Sequence, residues 1–156
     1  MGYEYGVWLV LRDFSVFSMI NKHNIKNHTS HITVMCNMDR ASAISLAREL
    51  HGVYNITISN RYRWFCSNDD KYSKSNNEQV ASGFNCIIPE WKKIMKITEK
   101  YDGDVPKIPH LSIVYSYSEA TLPTHIETSP IKTTGIIFPV DITDDEPNKW
   151  TLIDKT

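Results

Sequence analysis

Tyr5-Gly6-Val7-Trp8-Leu9-Val10-Leu11 is an almost unbroken apolar run closed by Arg12-Asp13. It is short and rich in branched and aromatic side chains, which predicts a buried strand. Phe14, Phe17, Ile20 and His23 or Asn24 then recur at helical spacing, with Asp13 or Ser15 as the cap, predicting a helix over 14–24. From His31 to Asn37 polar and apolar positions alternate, a strand pattern. Asp39 is placed to cap a helix over 41–50 that His51-Gly52 terminates. Val53 to Ser59 alternates again, and Arg61-Tyr62-Arg63-Trp64-Phe65 continues or follows that strand.

Residues 68–77 are polar and lysine-bearing without periodicity and read as an exposed loop. Beyond it, Gln79 to Ile88 predicts a strand. Pro89 suits the first turn of a helix over 90–101, with Trp91, Ile94, Met95 and Thr98 on one face and Asp102-Gly103 at its end. Pro106 and Pro109 stiffen the approach to a strand over 110–117, and 131–140 and 150–153 are two further strand candidates. Each half offers a strand that opens with histidine beside a helix preceded by another strand. The expectation is one α+β domain over 1–156 with two lobes, roughly 1–67 and 78–156, around a central cleft.

Composition fits a globular domain: 156 residues, 41% hydrophobic and 22% charged. Seventeen basic against eighteen acidic residues leave a net charge of -1, so no basic field draws the chain to long nucleic acid, and a nucleotide ligand is expected to be small. Cys36, Cys66 and Cys86 form neither a disulfide framework nor a zinc-site spacing. No secretory leader pattern and no apolar run near the roughly 20 residues of a membrane span is present, so a cytoplasmic protein is expected. The oligomeric state is not legible.

The chemistry-bearing pattern is a pair of tetrads, His31-Ile32-Thr33-Val34 and His110-Leu111-Ser112-Ile113. Alternation along a strand sets His31 with Thr33, and His110 with Ser112, on one face and their aliphatic neighbours on the other. Cleaving a phosphodiester requires a base for the attacking oxygen and an acid for the leaving one, roles histidine fills near neutral pH. Adjacent hydroxyls supply donors to the phosphoryl oxygens, so neither metal nor cofactor is required. Either tetrad alone reads as an ordinary strand histidine beside a strand hydroxyl; their match at all four positions argues for a functional pair.

These paired His-x-Thr/Ser motifs resemble those of the two-histidine (2H) phosphoesterases, and the resemblance covers most of the chain. It implies a bilobal fold, two antiparallel-rich sheets with flanking helices around a cleft, and catalysis by His31, Thr33, His110 and Ser112. It also implies phosphodiester or cyclic phosphate chemistry on nucleotides. The short chain and the opening Tyr-Gly-Val-Trp strand look most similar to compact viral members, such as the phage anti-CBASS nucleases that destroy cyclic oligonucleotide signals. A 2′,3′-cyclic phosphodiesterase, a 2′-5′ oligoadenylate or RNA-end processing enzyme, and a non-catalytic nucleotide-binding protein are the alternatives.

Tyr5, Trp8 and Trp64 are candidate base-stacking platforms, while Trp91, on an apolar helix face, is expected in the core. Arg61 and Arg63 share a strand face and are candidates for phosphate contact, against the alternative of a solvated face. Glu146, after Asp144 and Asp145, is a candidate for a base edge or for orienting a histidine, against that of an exposed acidic turn. His23, His28 and His31 lack the spacing and partners of a metal site.

Overall fold

The computed structural model describes residues 3–12, 30–65, 80–116, 125, 129–144 and 149–153. Within these, the first apolar run is strand β1 (Tyr5–Leu11), and the alternating segment that follows is β2 (His31–Met38). Helix α1 (Arg40–Glu49) starts at Asp39, whose carboxylate accepts the Ser42 backbone N–H at 2.8 Å and the Ser42 hydroxyl at 2.9 Å. It buries Ala43, Leu46 and Ala47, and the chain leaves it through Gly52 at φ +153°, a conformation open to glycine. The predicted helix over 14–24 and the loop over 68–77 lie outside the described residues.

Strand β3 (Val53–Phe65) is one continuous strand through the aromatic-basic segment. Strand β4 (Val80–Ile87), helix α2 (Trp91–Thr98), strands β5 (His110–Ser116) and β6 (Ile131–Asp141), and the short β7 (Thr151–Leu152) follow. Helix α2 is shorter than the spacing predicts, because Ile94 and Thr98 are its only buried positions.

The expected bilobal α+β arrangement of two sheets flanked by helices around a cleft does not form. Six strands instead close into a single antiparallel barrel in the order β1-β2-β5-β4-β3-β6 and back to β1, with β7 added to β6. The cause is pairing between the two halves of the chain. The first 6 residues of β3, 53–58, pair with β6, while residues 57, 58 and 62–65 pair with β4. Strand β1 is hydrogen-bonded on both edges, to β2 and to β6, and β5 lies between β2 and β4. Closure gives every strand in the ring a neighbour on each side, whereas an open two-sheet arrangement leaves edge strands. Hydrophobic patterning marks each strand but is silent about its partner.

One core draws on alternate positions of all six strands: Leu9, Ile32, Ile58, Phe84, Leu111 and Ile137 belong to it, together with Leu46 of α1 and Ile94 of α2. A second cluster, Trp8, Cys36, Val140, Ile142 and Trp150, covers the opposite face of β1 and β6. Between α2 and β5 the chain is pinned back onto β2. Cys36 and Asp104 exchange two backbone hydrogen bonds at 2.9 Å, and Asn37 Nδ2 donates to the Asp104 carboxylate at 2.7 Å. The Cys86 N–H then meets the Pro109 carbonyl at 2.8 Å, which sets where β5 begins and hence where His110 stands.

Candidate active site

Ile32 of β2 lies directly across from Leu111 of β5, both in the core. Carrying that antiparallel register one residue each way sets His31 opposite Ser112 and Thr33 opposite His110, on the face away from the core. The tetrads therefore interlock, each histidine facing the hydroxyl of the other motif. Neighbouring strands extend the pattern into two cross-strand rows. Trp8 pairs with Thr33, and Asn85 with His110, giving the row Trp8, Thr33, His110, Asn85. Val10 pairs with His31, Ser112 with Gly83, and Gly83 with Arg63, giving the second row.

Gly83 is required there by the backbone, since a Cβ would run into the Leu111 carbonyl oxygen. It also leaves the row without a side chain between Ser112 and Arg63.

The two histidines have different surroundings. His31 is 4% exposed and lies flat on the indole of Trp8, ring centroids 3.5 Å apart and planes within 6°. Trp150 meets both rings edge-on, at 6.1 Å from His31 and 5.9 Å from Trp8, and its Nε1 donates to the Asp144 carbonyl at 2.8 Å. His110 is half-buried, with the Phe65 ring 4.2 Å away and tilted by 40°. The Arg63 guanidinium sits over the Phe65 ring, 4.8 Å from its centroid. His110 Nδ1 is 2.9 Å from the Ile108 carbonyl oxygen. A carbonyl only accepts, so Nδ1 is the donor and the neutral ring keeps its lone pair on Nε2.

The remaining candidates from the sequence scatter. Trp64 and Tyr5 pack against the main core, and Trp91 does likewise. Trp8 is 1% exposed and serves as the floor beneath His31. Arg61 is exposed, next to a distortion in β3: Ser59, Asn60 and Arg61 together stand against the single residue Asn85 of β4. Glu146, His23 and His28 lie outside the described residues. Among the described residues no group of three or more His, Cys, Asp or Glu side chains is placed to hold a metal ion, and no helix is long and apolar enough to cross a membrane.

Sequence reasoning missed Asn85, Phe65 and Trp150. The first two were accessible in principle, because alternation against Phe84 puts Asn85, and against Trp64 puts Phe65, on the face away from the core. Their approach to His110 depends on strand pairing, which alternation does not report. No protein-family model, curated protein or solved structure matches the chain.

Proposed function

We propose that this chain is a two-histidine phosphodiesterase that hydrolyses cyclic oligonucleotide second messengers without metal or cofactor. The observation that carries the reading is the β2–β5 pairing, which gathers His31, Thr33, His110 and Ser112 onto one face in complementary order. Each ring gains a hydroxyl directly across the ladder, where side chains lie about 5 Å apart at Cβ. Arg63 supplies a cation in the same cross-strand row as Ser112.

In the reaction, His110 is the base. Its Nδ1 is held by Ile108, so Nε2 takes the proton of the ribose 2′-hydroxyl next to the scissile phosphate. The oxygen bonds to phosphorus and forms a 2′,3′-cyclic phosphate. The bond to the 5′-oxygen breaks, and His31 donates the proton that oxygen needs. Thr33 and Ser112 donate to the phosphoryl oxygens as their charge rises. Water then opens the cyclic phosphate with the two histidines in exchanged roles. The near-neutral charge balance favours a small ligand with few phosphates over a long strand held on a basic track. Destruction of such messengers suits a virus-encoded antagonist of CBASS- or cGAS-like immunity acting in the host cytoplasm, the role the sequence resemblance implies.

The test is incubation, in excess chelator, with cyclic di- and trinucleotides, linear 2′-5′ oligoadenylates and RNA bearing 2′,3′-cyclic phosphate ends, with products read by mass spectrometry. Cyclic substrates should be linearised fastest. Intact cyclic substrates beside processed RNA ends would move the function to RNA-end chemistry. Binding without turnover of any substrate would make the chain a nucleotide-binding protein.

A further inference from the structure

Asn85 lies where the histidine row meets the distortion in β3. Because the Cys86 N–H is bonded to the Pro109 carbonyl, residues 86 and 109 form a hydrogen-bonded pair. The next pair along an antiparallel ladder is then the narrow kind, with side chains held closest. That pair is Asn85 and His110. With Thr33 in register on the other side, the His110 ring has a hydroxyl on one flank and an amide on the other.

The Asn85 amide is divided. Its Oδ1 is fully enclosed and receives no hydrogen bond, whereas the residue as a whole is only half-buried and Nδ2 is not among the enclosed atoms left without a partner. An enclosed, unpaired carbonyl carries a desolvation cost that nothing among the described residues offsets. Leucine has nearly the same size and shape and would remove that cost. A polar group kept at a loss to stability, paired across the ladder with a histidine and carrying a donor on the same amide, is accounted for by a ligand that needs the donor.

We propose that Asn85 is a further substrate-contacting residue, its Nδ2 donating to a non-bridging phosphoryl oxygen of the ligand next to His110. Thr33 and Asn85 then bracket the ring with one donor each, matching the two non-bridging oxygens of a phosphodiester. The proposal rests on the phosphodiesterase reading.

The experiment compares wild type with Asn85→Leu and Asn85→Asp in three measurements: thermal midpoint, turnover of a cyclic dinucleotide, and affinity for inorganic phosphate. Asn85→Leu should melt at or above the wild-type temperature while losing about a hundredfold in turnover, as when one oxyanion donor is removed. Its affinity for phosphate should fall about tenfold. Asn85→Asp, equal in shape but carrying negative charge, should bind phosphate more weakly still at pH 7. An Asn85→Leu protein that melts lower, and loses turnover only in proportion to its unfolded fraction, would make Asn85 structural and overturn the proposal. Unchanged turnover and phosphate affinity would also overturn it. If wild type cleaves no phosphodiester yet binds phosphate through Asn85, the reaction fails and the contact stands. Cleavage indifferent to Asn85 refutes the contact alone.

Discussion

Trp8 offers the sharpest test of how His31 is held. The indole is 1% exposed, stacks on the imidazole at 3.5 Å and meets Trp150 edge-on at 5.9 Å. Trp8→Phe keeps a ring that can stack but gives up two to three methylene equivalents of burial, about 2 kcal/mol at ~0.8 kcal/mol each. Trp8→Leu also gives up the aromatic pairing, roughly 0.5–1.5 kcal/mol more, for a total of about 3 kcal/mol. In a chain of this length each kcal/mol shifts the melting midpoint by about 2–4 °C, so the midpoints should drop by roughly 4–8 °C and 6–12 °C. Urea unfolding followed by far-UV circular dichroism avoids dependence on the remaining tryptophans. Turnover, measured well below either midpoint, should separate the variants further. With a flat ring beneath it His31 stays aimed, whereas over leucine it is free to turn, and a misplacement of about 1 Å costs up to about a hundredfold. A folded Trp8→Leu protein that turns over as fast as Trp8→Phe would refute the idea that the stack orients His31.

Two further outcomes follow from the fold. Cys36 and Cys86 are buried cysteines outside any disulfide, and burial pushes the Cys86 thiol up to about 12. Neither should react with a thiol reagent at pH 8 until denaturant is added, and rapid labelling of native protein at Cys86 would contradict the register of β4. The Ser42 backbone N–H, then its hydroxyl, hold the Asp39 carboxyl below its ordinary 3.8. A carboxyl depressed in the folded state contributes stability above 3.8 that is lost as pH falls through the lowered value. Asp39→Ala should therefore melt below wild type at pH 7 and converge with it in acid, and a gap independent of pH would rule out the carboxylate cap.

The elements of this fold were readable because their causes are local. The apolar run of β1, the alternation of β2 and β5 and the Asp39 cap of α1 each act within a few residues. The barrel was not readable, because closure depends on β3 serving two partners along its length and β1 pairing on both edges. The same division runs through the site. The His-x-Thr and His-x-Ser spacing showed which residues share a face, but their interlocking comes from the Ile32–Leu111 register. Trp8 drew notice as a candidate platform for a base; pairing β1 to β2 instead brings it beneath His31.

Turnover of a cyclic dinucleotide in chelator by His31→Ala, His110→Ala and the double variant tests the central claim most directly. Two histidines sharing one pair of proton transfers act as a unit, so each single variant should lose at least about a hundredfold, and the double should fall little further than the worse single. All three should stay folded and still bind the substrate. A folded single variant that retains wild-type turnover would show that histidine to be structural and contradict the two-histidine mechanism.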